Sequence, residues 1–175
     1  QGADLKVQIL GMINDSVETV VNRYISAHTS QDKWNIEGLR NYYMDWVLRP
    51  EDLAYDAEHP ITMAYDEIVD FIKCKCLDIY EKHEEIIGDE AARSLERVVL
   101  LHNVDEQWMD HIDAMEQLKQ GIHLRSYGQK DPVVEYRVEG FDMFEAMIET
   151  IRENTVKMLL CFRIGSNNHH QGILM

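Results

Sequence analysis

Proline occurs only three times and glycine nine times in these 175 residues, so little in the chain forces a break in helix. Cations are scarce as well. Seventeen Lys and Arg face 32 Asp and Glu, a formal charge of -15, which argues against duplex or single-stranded nucleic acid as a partner, since such a surface needs an excess or cluster of cations. No run approaches the roughly 18 apolar residues that span a bilayer, and "QGADLKVQIL" lacks the basic-then-apolar pattern of a signal peptide. A chain that is itself soluble is expected.

Cysteine is sparse and odd in number. Cys74, Cys76 and Cys161 without a secretory signal suit a reducing compartment. Cys74 and Cys76, two apart, fall on different faces of a helix, which speaks against a metal site built from them. Neither "GxxxxGK[ST]" nor "GxGxxG" occurs, so these residues offer no cradle for a nucleotide phosphate. No "GxSxG" elbow is present and no cysteine has a recognisable histidine partner. The expectation is a segment that performs no catalysis of its own.

What remains is abundant Glu, Met, Leu and Ile, and apolar residues at helical spacing. Leu5, Ile9, Met12, Ile13, Val17, Val20, Val21 and Tyr24 keep one face over nearly six turns, predicting a helix from about 4 to 28. "HTSQDKWNIEGL" breaks the period, and short apolar clusters between Leu39 and Pro60 predict short helices in a small irregular region. Trp34 and Trp46 read as local core there. Pro60 suits a helix start, and Ile61, Tyr65, Ile68, Ile72, Cys76 and Ile79 continue at helical spacing to about Ile87, with Gly88 as stop or pivot.

A long helix then follows from Asp89. Leu101, Val104, Trp108, Ile112, Met115, Leu118 and Ile122 share a face, opposite a solvated face of Asp105, Glu106, Asp110, Asp113 and Glu116. Asp131 is a good N-cap and Pro132 a good first residue for a last helix marked by Phe141, Phe144, Ile148, Ile151, Thr155, Met158 and Phe162. The expected fold class is all-α: two helices of about 35 and 30 residues folded back as a long antiparallel hairpin, plus a small helical domain. The tail "GSNNHHQGILM" has no period and is left without a function, as a frayed end or a remnant of cloning.

Three candidate chemistries can be weighed. His102, Asp105, Asp110, His111 and Asp113 do not converge at ligand spacing, because position 109 is Met, so a metal-dependent hydrolase is remote. Trp108, Met109, Met115, Phe141, Met143, Phe144 and Met147 read as the seam between the arms rather than an adaptable binding surface. The turn "GIHLRSYGQKDP" offers more than a connector needs. It sets Tyr127 among Leu124, Arg125, Gln129 and Lys130, and a tyrosine can stack on or hydrogen-bond to any polypeptide backbone. On the residues alone, plain connector and contact tip both remain open.

Residues 104 to 151 carry "WMDHIDAM", "QGIHLR", "YGQKDP" and "EGFDMF" in order. This segment closely resembles the C-terminal part of the SecA family, the ATPases that drive preproteins through the bacterial Sec channel. "MINDSVETVVNRYI", "WNIEGL" and "YEKHEEIIGDE" extend the resemblance more weakly, to roughly residues 5 to 160. It implies that residues 1–28 end a long scaffold helix, 29–88 form the helical wing domain, 89–160 form the returning scaffold with the two-helix finger, and 161–175 are unassigned. It implies a fingertip at Tyr127, with Leu124, Arg125, Gln129 and Lys130 beside it, touching the translocating polypeptide and the channel. The helix around Trp108 would belong to an intramolecular regulator of ATP turnover.

Further implications concern the whole protein. The fragment would hold no cofactor, with ATP and Mg bound by the parent's motor domains, and the motif-poor sequence would be an excised fragment lacking those domains. Expected partners are the SecY channel complex, the preprotein, the motor domains of the same parent chain, an anionic membrane surface met through the parent, and a second copy in a possible homodimer. The location would be cytoplasmic, at the inner face of the bacterial plasma membrane. Against this stands a free-standing helical adaptor that docks another protein through the same hairpin.

Overall fold

The computed structural model describes residues 2–53, 62–125 and 131–162. Helix α1 spans Gly2–Tyr24, and α2 spans Ile36–Tyr43 after a short 3-10 turn at Gln31–Lys33. Helix α3 spans Tyr65–Ile87, α4 spans Asp89–Arg125 and α5 spans Pro132–Cys161. The expected all-α fold with a long antiparallel hairpin is what these elements form.

The helix ends follow from local hydrogen bonding. α1 stops short of the predicted residue 28, because Ser26 and Thr29 bond among themselves and the Trp34 indole Nε1 donates to the Ser26 and Thr29 carbonyls. Asn35 then caps α2, accepting from the Gly38 N–H at 2.9 Å. α3 begins at Tyr65 rather than near Pro60; the Glu67 carboxylate accepts from the Ala64 N–H at 2.7 Å and closes its first turn. Pro60 and Ile61 lie outside the described residues.

Gly88 is the predicted stop. Its φ of 83° is closed to most side chains. Its N–H reaches the Glu84 carbonyl and its carbonyl accepts from Ala92, so two helices abut through one residue. At the other end, Asp131 caps α5 through the Val133 N–H at 2.9 Å, with Pro132 in the first turn as expected.

The core lies where all five helices meet. Ile9, Ile13, Val17, Val20 and Val21 of α1 pack with Leu39 and Tyr43 of α2, Ile68, Ile72 and Cys76 of α3, Val99 of α4, and Val156, Leu159 and Leu160 of α5. Each such side chain contributes about 1.5–3 kcal/mol on burial. Trp34 and Trp46 pack at the margin of this core, as predicted.

Outward from Val99 and Asn103 the hairpin leaves the core. Among the described residues its buried positions there include Ile122 on α4 and Gly140, Met147 and Ile151 on α5. α4, at 37 residues, is about 55 Å long. The packed seam differs from the predicted one. Leu101, Trp108, Met109, Ile112, Phe141, Phe144, Ile148, Met158 and Phe162 are exposed, whereas Ile122, Met147 and Ile151, which the predicted faces also included, are buried. A stripe repeating every seven residues drifts by about 20° per heptad on a straight helix, so it cannot stay aimed at one partner over this length. Close approach also selects Gly140: a Cβ placed there would lie 2.9 Å from Met115 Cε. The acidic face was read correctly, with Asp105, Glu106, Asp110, Asp113 and Glu116 all exposed.

Candidate functional site

The predicted tip is covered only in part. Tyr127, Gln129 and Lys130 lie outside the described residues, and Leu124 and Arg125 are the last two residues of α4. What the structure defines is how the hairpin that carries them is held at its base.

The first holding point joins three helices. Glu153 on α5 accepts from Arg23 on α1 at 2.9 Å and from the Tyr42 hydroxyl on α2 at 2.5 Å. Burial alone would raise the Glu153 carboxyl, yet Arg23 and Tyr42 outweigh it and hold it below the ordinary range. Burial, reinforced by Glu153, pushes the Tyr42 phenol upward, so it remains a donor. One turn along α5, the Lys157 ammonium lies 5.8 Å from the Tyr42 ring centroid and 5.9 Å from that of Trp46.

The second holding point flanks Gly88. Arg93 NH2 on α4 lies 2.6 Å from Glu84 Oε1 on α3, 2.7 Å from Glu96 Oε1 and 2.8 Å from the Tyr80 hydroxyl. Tyr80 donates to Glu96 at 2.7 Å, and Lys6 on α1 pairs with Glu84 at 2.6 Å. Glu96 is 2% exposed. Burial drives its carboxyl above the ordinary range despite Tyr80 and Arg93, whereas Lys6 and Arg93 overcome burial at Glu84 and hold that carboxyl below it.

Trp108, the predicted regulatory residue, is 48% exposed. It lines an open groove of about 530 Å³ with Met12, Val104, Phe144, Met147 and Ile148. His111 lies beside it, ring centroids 5.9 Å apart, and 6.0 Å from the Phe144 ring. The surface is apolar and accessible, suited to packing rather than to chemistry.

Among the described residues no group of three or more His, Cys, Asp or Glu could hold a metal ion, and no helix is long and apolar enough to cross a membrane. His102 sits 3.9 Å from Glu106, and both are exposed. Cys74 is exposed and Cys76 buried, on different faces as their spacing required.

Reading the sequence missed both holding points. The Arg93–Glu96 pair at i, i+3 was a local signal that could have been found. Arg23 and Glu153, 130 positions apart, left none.

Comparison with known proteins agrees with this architecture. The family model described as the SecA Wing and Scaffold domain matches residues 1–163. The protein translocase subunit SecA of Clostridium acetobutylicum is 45% identical over 159 residues, covering 91% of this chain and 19% of that protein. The protein of the same name from Syntrophomonas wolfei is 39% identical over 163 residues, covering 93% of this chain and 19% of its own length. That from Acetivibrio thermocellus is 38% identical over 170 residues, covering 97% and 19%. The chain thus spans about a fifth of the length of these curated relatives. With the family model matching residues 1–163 and relatives this similar along nine-tenths of its length, the chain belongs to the SecA family, as its wing and scaffold domain.

Proposed function

We propose that this chain is the wing and scaffold portion of an ATP-driven protein translocase, and that the α4–α5 hairpin is the lever through which that machine meets the polypeptide it moves. One observation carries the reading: a helix of 37 residues pairs with one of 30, extends beyond the shared core, and is pinned at its base by Glu153. A stiff arm with a fixed root and a polar tip transmits displacement. The relatives are named protein translocase subunits, which supplies the process in which such an arm would serve.

In this reading Tyr127 is the contact residue, with Leu124, Arg125, Gln129 and Lys130 around it, facing the preprotein inside the mouth of the SecY channel. A phenol there grips backbone without reading sequence. ATP and Mg belong to motor domains of the full-length protein, and the exposed surface around Trp108 packs against those domains to restrain turnover. The hairpin either pushes substrate as the motor cycles or senses it and adjusts nucleotide exchange. Anionic lipid is met by the full-length protein. With the Trp108 surface bare, the isolated chain self-associates.

The test places a photo-crosslinker at position 127 of the full-length protein with a substrate stalled in the channel. Cross-links to the stalled polypeptide are expected. Cross-links only to lipid or solvent, while another hairpin position reaches substrate, would overturn the tip assignment.

A further inference from the structure

The corner between α3 and α4 is bridged by a charged cluster, whereas the Arg23–Glu153–Tyr42 contact at the other side of the base sits beside the apolar core. The last core residue of α3 is Tyr80 and the first apolar core residue of α4 after Ala92 is Val99, while Ile86 and Val98 within the corner are 65% exposed each. Lys6, Tyr80, Glu84, Arg93 and Glu96 bridge that interval from three helices. The joint they span is Gly88, whose φ is positive and beside which an added Cβ would meet nothing within 4 Å. A single residue in open space resists bending very little.

The network is also incompletely satisfied. One guanidinium nitrogen of Arg93 approaches Glu84, Glu96 and Tyr80 together, while Arg93 Nε and Glu96 Oε2 are buried with no hydrogen-bond partner among the described residues. Buried polar atoms left unpaired cost free energy, so a rearrangement that pairs or hydrates them competes with the closed form. Elements with two packings of similar energy are what proteins use as switches.

We propose that this cluster is a polar latch that sets the tilt of the hairpin: closed, it fixes α4 against α3 and α1; open, it lets the corner swing about Gly88 while the apolar core stays packed. Val99 and Asn103 act as the fulcrum, the Asn103 amide reaching Met158 Sδ on α5 at 3.4 Å. From Asp89 to Val99 the rod is about 15 Å and from Val99 to Arg125 about 39 Å, so a movement of about 2 Å at the corner becomes about 5 Å at the end of α4. This mechanism is independent of what the tip touches.

Spin labels on cysteines substituted for Asp70 on α3 and Gln117 on α4, both exposed, in a chain carrying Cys74→Ser and Cys161→Ser, report the tilt by dipolar spectroscopy. Lys6→Met and Arg93→Met are expected to broaden the distance distribution or add a second population displaced by about 3–5 Å, with helicity and cooperative melting retained. Lys6, whose side chain is 39% exposed, serves as the variant that removes a latch partner without a core change. Unchanged distributions in both variants would overturn the latch, as would loss of cooperative melting in both, which would make the cluster part of the core.

Discussion

Arg23 and Glu153 stand 130 positions apart and meet at 2.9 Å, joining the end of the first helix to the returning arm of the hairpin. Tyr42 completes the contact from a third helix. The carboxylate sits in a half-buried place where both neighbours favour its charged form.

Glu153→Gln should therefore destabilise the chain by about 1–2 kcal/mol, the scale of a charge-assisted hydrogen bond reduced for the partial exposure of Arg23. The carboxyl is depressed in the folded chain, so its contribution is complete above the unfolded value near 4.3 and is lost as pH falls through the lower folded value. Denaturant unfolding at pH 7 and pH 3 checks this. The gap between parent and variant should shrink at the acidic end; a constant gap would assign the loss to packing.

Gly88→Ala should cost about 1–3 kcal/mol although nothing crowds the site, because the backbone there has φ 83° and ψ 157°, a region essentially reserved for glycine. Thermal unfolding reads the loss. A variant as stable as the parent would mean the joint adopts another conformation at little cost.

Gly140 is limited by contact rather than by dihedral angles. Alanine there meets only the mobile end of Met115, and it gains helix propensity of about 1 kcal/mol, so Gly140→Ala should lie within about 1 kcal/mol of the parent. Gly140→Ile, which cannot be absorbed by one methionine rotamer, should cost about 1–3 kcal/mol by forcing the arms apart. Equal effects of the two would show that the arms are not in close contact at this point.

Alkylation should distinguish the cysteines. Cys76 is buried and its thiol is pushed up to about 12 by desolvation, so at pH 8 only about one molecule in ten thousand carries the thiolate. Cys74 and Cys161 are exposed. Mass spectrometry after brief iodoacetamide treatment should find two modified sites in the folded chain and three in denaturant. Rapid labelling of Cys76 under native conditions would contradict its place in the core.

Local chemistry alone determined much of this molecule. Helical spacing, the stop at Gly88, the cap at Asp131 with Pro132, and the opposed faces of Cys74 and Cys76 each depend on neighbours within a few residues, so the fold class and the hairpin could be read directly. The motifs around residues 104 to 151 carried the family. The tertiary structure alone decided which of the predicted apolar residues are packed. The seam passes by Gly140, Met147 and Ile151, and Trp108, Phe141 and Phe144 are left bare, because crossing geometry and helical drift select one of two similar faces. It alone also placed Glu153 against Arg23 and Tyr42, and sank Glu96 beside Tyr80 and Arg93. A charged residue on a helix looks solvated in sequence, and its burial follows only when another helix brings it a partner, the Arg23 guanidinium for Glu153 and the Tyr80 hydroxyl for Glu96.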